Sequence, residues 1–268
     1  MVYARIKELI AAAPIPAEGR ITDGGWYMGE YGDCDVVVAA GSRATFVVAD
    51  GEGSADINID VERGAELRLL HLVTRHSAMN ISVAVAGDAQ CRMTQVVVSP
   101  SDTRVVASLV ERGAEFNMGG VFLLSGEDKA SVTADVNHMA SDCRSHTQIK
   151  GVATGHAHGS FAGLVYVAPD AQRTDSVQSS RNITVGEARI ETMPQLEIYA
   201  DDVKCSHGAT VGQMNDDAIL YMRQRGLSLA DAKRLQIEGF VDDVVLHSVV
   251  EGSEAILAEL LAEKLTNL

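Results

Sequence analysis

Hydrophobic residues change their spacing twice along the chain, and each change predicts a different kind of structure. Near the amino terminus, apolar residues recur at the spacing of an amphipathic helix, at Val2, Ile6, Leu9, Ile10 and Ala13. Pro14 and Pro16 end this predicted helix, because proline cannot continue the backbone hydrogen bonding. From about Ile21 the apolar residues form short runs such as VVVAA, ISVAVAG and TQVVVSP, separated by glycine, aspartate and serine. Runs of this composition predict β-strands joined by turns.

A repeated hexapeptide indicates how these strands are arranged. The sequence VERGAE occurs at residues 61–66 and again at residues 110–115, which is 49 residues later, and a similar Gly-Asp-Ala turn lies between them at residues 87–89. Turns that recur about every 25 residues, each followed by an apolar run, are typical of a solenoid. The spacing therefore predicts a parallel β-helix, with a β-sandwich that has two similar turns as the alternative.

The last part of the chain returns to helical spacing. Asn215 and Ser228 are residue types that cap helices, and Asp231 completes an S-x-x-D capping box with Ser228. A final amphipathic helix is predicted from about Ser253, with one apolar face made of Ile256, Leu257, Leu260, Leu261 and Leu265. We therefore divide the chain into an N-terminal helix and linker (1–20), a β-helix core (21–212) and a C-terminal helical module (213–268).

Charge and cysteine content limit the partners and the compartment. The chain has 37 acidic residues against 22 lysines and arginines, a formal net charge of −15, and it has no basic block. Nucleic acids and anionic membrane surfaces are therefore not expected partners. The four cysteines are widely spread, and neither a secretory signal nor a membrane span is recognisable. We expect a cytoplasmic protein with reduced thiols, the alternative being a secreted protein with disulfides.

One short segment concentrates residues that bind metals. Residues 195–212 read QLEIYADDVKCSHGATVG, and within them Cys205 and His207 lie two residues apart. In an extended strand both side chains leave the same face, where a thiolate and an imidazole can share one soft metal ion. The alternative is a buried, apolar Cys205 beside a His207 that donates to a backbone carbonyl. Asp201 and Asp202 are additional candidate ligands, or alternatively they cap a turn.

The same segment belongs to a longer stretch that resembles a known family. Residues 193–244 resemble the carboxy-terminal part of the SufB/SufD iron–sulfur cluster assembly scaffolds, and their sequence is most similar to the SufD branch. The segment reads MPQLEIYADDVKCSHGATVGQMNDDAILYMRQRGLSLADAKRLQIEGFVDDV. A weaker likeness extends through residues 161–183. The resemblance implies β-helix architecture. The expected fold class is therefore mainly β, a right-handed parallel β-helix core with a small C-terminal α-helical module.

The resemblance also implies a function and partners. Proteins of this family are non-catalytic scaffolds that work with an ABC-type ATPase, SufC, and build a transient iron–sulfur cluster at a dimer interface. His207 stands where the SufD branch contributes a histidine, and Cys205 belongs to the same CSHG motif. The segment ILYMRQRGL resembles the family's helix that binds the ATPase. The candidate contacts with the ATPase are therefore Tyr221, Arg225 and Gly226, with Phe240 as a weaker candidate. The partner subunit would be a second copy of this chain or a SufB-like protein.

Two departures from the family pattern qualify this implication. SufB proteins have a sulfur-accepting cysteine shortly before the proline that corresponds to Pro194, whereas this chain has Ala188 or Arg189 at the aligned position. Three alternatives follow: a SufB-like partner supplies the sulfur acceptor, Cys205 or another thiol substitutes for it in a homodimer, or the chain is a shortened relative with an altered task. The long amino-terminal helical extension of many relatives has no counterpart, so functions that depend on it are not expected.

Other functions remain as alternatives. A solenoid groove could display paired carboxylates for polysaccharide cleavage, although no specific pair is recognisable. The chain could also be a purely structural partner of a SufB-like subunit. A zinc site is a weaker alternative, made of Cys143, His146, His156 and His158. The sequence has no G-x-x-x-x-G-K-[ST] loop, so ATP hydrolysis by this chain is not expected.

Overall fold

The structure, a computed structural model, describes residues 6, 12–22, 24–29, 32–49 and 51–265. Most of the predicted N-terminal helix, including Val2, Leu9 and Ile10, lies outside the described residues. Within them, Ile6 is helical and fully buried. Ala13 was predicted in this helix but instead begins a strand with Pro14, so strands begin before Ile21. Pro14 is tolerated there because this strand is at the edge of its sheet.

The described residues form a long series of strands followed by three helices. The strands are β1 (Ala13–Pro14), β2 (Glu18–Ile21), β3 (Gly25–Gly29), β4 (Cys34–Val38), β5 (Arg43–Val48), β6 (Gly53–Val61), β7 (Glu66–Val73), β8 (Ser77–Val85), β9 (Gln90–Val97), β10 (Ser101–Leu109), β11 (Glu115–Leu124), β12 (Lys129–His138), β13 (Arg144–Gly155), β14 (His158–Val167), β15 (Asp175–Gly186), β16 (Arg189–Ile198) and β17 (Lys204–Gly212). The helices are α1 (Asp216–Gln224), α2 (Leu229–Leu246) and α3 (Glu254–Leu265).

The strands wind as a solenoid. Odd-numbered strands form a nine-stranded sheet in chain order, and even-numbered strands form an eight-stranded sheet in the same order. Because successive strands alternate between the two sheets, every two strands complete one coil, and each strand pairs with the strand one coil away. All of these pairings are parallel, as in β7 with β9 and β8 with β10. This confirms the predicted mainly β solenoid, a parallel β-helix, and excludes the β-sandwich, which is built from antiparallel sheets.

The repeated hexapeptide marks one corner of this solenoid. Its two copies lie two coils apart, because Glu66 is in register with Gln90 and Gln90 with Glu115. Gly64 and Gly113 have left-handed backbone angles (φ +66° and +79°), and Asp88 has φ +56° at the same position of the coil between them. A side chain at Gly113 would place its Cβ 2.5 Å from the Asp88 carboxylate. The corner therefore requires a left-handed residue, which glycine adopts most readily, and at Gly113 the close approach of Asp88 also leaves no room for a side chain.

Coil length changes along the solenoid. One coil takes 24 residues from Glu66 to Gln90 but 31 residues from Arg144 to Asp175. The predicted spacing of about 25 residues therefore fits the middle coils, while the later coils have longer strands. β13 and β15 each contain 12 residues, compared with 8 in β7.

The described part of the chain has three clusters of buried apolar residues, of which two are large. The first fills the space between the sheets, where alternate residues of each strand point inward; Phe46, Phe116, Phe122 and Phe161 are its largest members. The second lies on the outer face of the nine-stranded sheet, where α2 and α3 cover it. Its sheet side includes Leu70, Leu72, Val96, Val121 and Leu123, and its helix side includes Ile237, Val241, Leu257, Leu260 and Leu261. The covered strands are apolar on both faces for this reason.

The helix caps follow the sequence prediction. The Asn215 side chain accepts a hydrogen bond from the Ala218 backbone N–H (3.0 Å), and the Ser228 hydroxyl accepts one from the Asp231 N–H (3.0 Å). Both bonds satisfy a backbone donor that has no partner within the first turn of its helix. The predicted apolar face of the last helix is buried at all five positions, from Ile256 to Leu265.

Candidate functional site

The candidate site lies at the end of the β-helix where the last coil is uncovered. β17 is the last strand of the nine-stranded sheet and pairs with β15, while β16 is the last strand of the eight-stranded sheet and pairs with β14. Each therefore has one free edge within the described part of the chain. Several large apolar residues of this last coil are exposed, namely Met193, Ile198, Tyr199 and Val211. Free strand edges beside exposed apolar side chains are suited to pairing with another chain.

Cys205 and His207 both belong to β17 and occupy inward-facing positions. In register, Cys205 lies beside Ser176 and His207 beside Gln178, both of which are buried in the lumen of the β-helix. Cys205 is half-buried and packs against a small buried cluster that contains Val165, Val167 and Ala171. His207 is exposed, because no described strand covers β17 from outside. The two donors share one face of a strand, as the spacing predicts.

Burial keeps Cys205 protonated in the isolated chain. Desolvation raises the pKa of the Cys205 thiol, the nearby Asp175 carboxylate raises it further, and the Ser176 backbone N–H acts in the opposite direction. Lys204 is the cation next to Cys205 in the sequence, but it points to the opposite face of β17 because adjacent residues of a strand alternate. Binding of a metal ion through this sulfur therefore requires that the thiol release its proton to solvent.

Asp201 and Asp202 lie in the turn before β17 and are exposed. The Asp202 backbone N–H donates to the Gln172 side chain (2.9 Å), and the Asp202 carbonyl accepts from the Arg173 N–H (2.6 Å). These bonds fix the turn and leave both carboxylates in solvent. Within the described residues, no group of three histidine, cysteine or acidic side chains is close enough to hold a metal ion. A single chain thus places two donors on one strand, and the ligand role of the acidic pair stays a prediction.

The other three cysteines are buried. The pKa of Cys34 is raised to about 11 and that of Cys91 to about 12, in both cases mainly by burial, and burial also raises the pKa of Cys143. All four cysteines are free thiols, and only Cys205 among them is not fully buried.

The alternative zinc site is wrong for the described residues. Cys143 is buried and donates to the Glu111 carbonyl (3.3 Å), while His146 is on the outer face of β13. His156 and His158 lie beyond the far end of β13 and approach Glu187 and Glu191. A strand of twelve residues separates the two halves of this motif, so they cannot share an ion.

The lumen under β17 is polar, which the sequence analysis missed. The inward positions of β15 are Ser176, Gln178, Ser180 and Asn182, all buried. His138 Nε2 lies 2.8 Å from the Ser145 hydroxyl, which lies 2.8 Å from that of Ser176. Both amide atoms of Gln178 are buried without a hydrogen-bond partner. The signal was present in the run DSVQSSRN, whose alternate residues are all polar.

The proposed ATPase contacts lie on the helical module. Tyr221 is on α1 and is exposed, and the Arg225 guanidinium lies over its ring at 4.6 Å from the centroid. Gly226 follows with φ +98°, which ends the helix. Phe240 differs from these three, because its ring packs against the sheet-covering core and lies 4.9 Å from the Lys150 ammonium. Phe240 therefore has an internal role in this chain, whatever else it contacts.

Comparison with known protein families gives the identity of the fold. Residues 21–240 match the family model described as SUF system FeS cluster assembly, SufBD core domain. The chain belongs to the SufBD family. This confirms the resemblance found in the sequence, and the matched region includes the β-helix, the CSHG motif and most of α2.

Curated relatives of this SufBD chain are assembly proteins from several bacteria. It is 41% identical over 110 residues to the iron–sulfur cluster assembly protein SufD of Escherichia coli (strain K12), a match that covers 41% of this chain and 26% of SufD. It is 42% identical over 97 residues to a SufBD family protein of Synechocystis, covering 36% of this chain and 21% of that protein. A SufBD family protein of Mycobacterium leprae is 25% identical over 260 residues, covering 88% of this chain and 65% of the relative.

These matches span less than two thirds of each relative's length. Of the two residues expected at the position of the SufB sulfur acceptor, Ala188 is buried at the edge of the lumen core and Arg189 is the exposed first residue of β16. None of the helices in the part of the chain that the structure describes is long and apolar enough to cross a membrane.

Proposed function

We propose that this chain is a non-catalytic scaffold subunit of a Suf-type iron–sulfur cluster assembly complex that works with a SufC-like ABC ATPase in the cytoplasm. The observation that carries the proposal is the position of Cys205 and His207 on a free edge strand at the open end of the β-helix. A soft thiolate and an imidazole on one strand face suit iron. Iron and sulfide are the cargo of this site, and the cluster built there is transient.

A second subunit would complete the site. Iron in clusters takes four ligands, and one chain offers two on β17, so the remaining ligands come from sulfide and from a partner. The free edges of β16 and β17 and the exposed Met193 and Tyr199 provide a surface on which that partner can pair. The partner is a second copy of this chain or a SufB-like subunit. A SufB-like partner would also supply the cysteine that this chain lacks at Ala188 or Arg189.

The helical module would transmit force from the ATPase. Tyr221, Arg225 and Gly226 lie at the end of α1, which is exposed, and α2 is fixed to the sheet by Lys150 and Asp243 (2.5 Å). A nucleotide-driven movement of α1 and α2 would therefore move the β-helix with them. Separation of two such subunits would open the seam at β17 for iron and sulfide.

Anaerobic reconstitution with ferrous iron and sulfide tests the ligand assignment. The complex containing the parent chain should gain a cluster absorption band, and the Cys205→Ala, His207→Ala double variant should lose most of it. The matched control is a Ser206→Ala, His146→Ala double variant, which changes exposed residues on the outer faces of β17 and β13. Equal uptake by the two double variants would refute the ligand assignment.

Native mass spectrometry tests the partners. This chain should form a complex with a SufC-like ATPase and a second SufB/SufD-type subunit, and Tyr221→Ala or Arg225→Ala should weaken the binding of the ATPase. A chain that stays monomeric and ignores the ATPase would contradict the proposal. Binding of the SufB-like subunit without iron uptake at β17 would favour a purely structural partner.

The carbohydrate-enzyme alternative gains no support, since the outward Asp56, Asp102 and Asp135 are each hydrogen-bonded to a neighbouring side chain.

A further inference from the structure

The nine-stranded sheet contains the same pair of residue types at two places. In the middle coils, His71 of β7 and Gln95 of β9 are in direct register and both point into the lumen. In the last coil, Gln178 of β15 and His207 of β17 are in direct register and also occupy inward positions. Adjacent parallel strands are about 4.8 Å apart, so the two side chains of each pair lie side by side.

The middle pair shows what this arrangement does when it is fully covered. Gln95 Nε2 lies 3.0 Å from His71 Nδ1, a hydrogen bond between two buried side chains. The pair fixes which imidazole nitrogen faces the neighbouring strand, and the other nitrogen is directed away from it.

Gln178 has no such bond in the structure, although it is equally buried. Its side chain is 1% exposed, and neither its amide oxygen nor its amide nitrogen has a hydrogen-bond partner. A buried amide without hydrogen bonds is destabilising, so its presence requires a reason. His207 is the inward side chain next to it on the adjacent strand, and its ring is free to turn because it is exposed.

The missing side chain of Gly163 leaves the space that the Gln178 amide occupies under the last coil. A Cβ at Gly163 would lie 2.5–2.8 Å from the three terminal atoms of the Gln178 side chain. Gln178 therefore reaches across the lumen from β15 to the α-carbon of Gly163 on β14, and it fits only because residue 163 has no side chain. Gly163 is in register with Pro194 of β16, as Gln178 is with His207 of β17. The Gln178 amide therefore lies in the lumen directly below the last coil, which β16 and β17 form.

We propose that Gln178 is the positioning residue for His207, in the same register as Gln95 beside His71 but with its amide oxygen, and not its amide nitrogen, towards the ring. This inference rests on the proposed function of His207 as a ligand. A carboxamide can accept from Nδ1–H through its oxygen, and in that tautomer the Nε2 lone pair is free to bind iron. Histidines that bind metals usually donate their second ring N–H to such an acceptor, which orients the ring. The bond would form when the metal held with Cys205 turns the His207 ring inward.

Binding of cobalt(II) and zinc(II) to this chain under anaerobic conditions tests the positioning role of Gln178. Gln178→Met keeps the volume of the side chain and removes the amide, and it should weaken Co(II) affinity about tenfold, the lower end of the effect of such outer contacts. In ¹⁵N-histidine spectra of the zinc-bound parent, His207 should show a slowly exchanging Nδ1–H. Gln178→Met should lose that signal, and Gln178→Glu, which retains an acceptor oxygen, should restore it. A purely structural role of Gln178 would not produce this signature.

Gln95→Met is the matched control, because it removes the same buried amide from the same sheet beside His71. It should lower stability and leave both the Co(II) affinity and the His207 signal unchanged. If His207→Ala weakens Co(II) binding and Gln178→Met does not, the positioning role is refuted while the ligand assignment stands. If His207→Ala has no effect on Co(II) binding, both are refuted.

Discussion

The middle coils and the last coil of the β-helix follow the same backbone path but differ in what covers their side chains. β9 has a paired strand on each side, and its inward residues Cys91 and Met93 are almost fully buried. β17 has a paired strand on one side, and its inward residues Cys205 and His207 remain accessible. The same inward position is thus a core position in one coil and a candidate ligand position in another. Whether an inward side chain serves the core or remains accessible to a ligand therefore depends more on coverage by the next coil than on residue type.

Removing a large side chain from the middle of the lumen should have the largest effect. Phe122 is 1% exposed, and a Cβ at Gly151 or Gly159 would overlap its ring, so the site is tightly packed. Phe122→Ala should lower the free energy of unfolding by about 3–5 kcal/mol. Val211→Ala, at an inward but 48% exposed position of β17, should cost less than about 1 kcal/mol. Urea denaturation followed by circular dichroism measures both values, and equal losses would contradict the difference between the coils.

The second largest effect is expected where α2 covers the sheet. The Lys150 side chain is 8% exposed, and its ammonium donates to Asp243 (2.5 Å) and to the Phe240 carbonyl (2.6 Å). Asp243→Ala should cost about 2 kcal/mol, because it removes a charged hydrogen-bond acceptor from a buried cation. Solvent limits this loss, because the Asp243 side chain is 47% exposed.

A double-mutant cycle separates this ion pair from general damage to α2. Lys150→Met combined with Asp243→Ala should recover part of the loss, since no unpaired buried charge remains. The control is Asp242→Ala, an exposed neighbour on the same helix. If the Asp242 and Asp243 variants unfold at the same urea concentration, the pair does not hold the helical module on the sheet.

The fold was more predictable from the sequence than the candidate site was. The repeated turn at residues 61–66 and 110–115 marks a corner because its glycine must adopt a left-handed conformation, and this requirement is local. The pairing of Cys205 with His207 on one face was likewise predictable, since it needs only the alternation of a strand. Ala13 was placed wrongly because a short apolar run is compatible with either helix or edge strand.

The rest depends on contacts between coils, which one sequence does not specify. Gln178 lies 29 residues before His207, and their register follows from the lengths of the intervening turns and of β16. The room for Gln178 comes from Gly163 on the other sheet. Asp175, which is far from Cys205 in the sequence but on the adjacent strand β15, is the charge that raises the pKa of the thiol.

Cysteine reactivity should distinguish the last coil from the others with a smaller effect. In the native isolated chain, N-ethylmaleimide should modify Cys205 at least about tenfold faster than Cys34, Cys91 or Cys143, because those three are buried. The rate at Cys205 should rise with pH, since its pKa is raised by burial and by Asp175. Peptide mass spectrometry at increasing times gives each rate. Simultaneous modification of all four would mean that the lumen opens as readily as the last coil.

The smallest effect is expected at the turns, where charged side chains link successive coils. Asp142 accepts two hydrogen bonds from Arg173 (2.6 and 2.7 Å) and lies 2.7 Å from Arg112, and these partners lower its pKa from 3.8 to about 2. A lowered pKa stabilises the fold above about pH 4, and this contribution is lost as the pH falls towards 2. Because Asp142 and its arginine partners remain in contact with solvent, salt should weaken the effect.

Asp142→Asn tests this linkage without straining the turn, since asparagine tolerates the left-handed angle found at Asp142 (φ +59°). The parent should be more stable than this variant near neutral pH, and the difference should shrink as the pH falls from about 4 towards 2. Asp170→Asn, at another exposed turn position, is the control and should show no such pH dependence. Urea midpoints measured across this pH range decide the matter. A constant difference between parent and Asp142→Asn would show that the ion pairs between the turns of successive coils add no charge-dependent stability. The coils would then be held together by lumen packing and strand pairing alone.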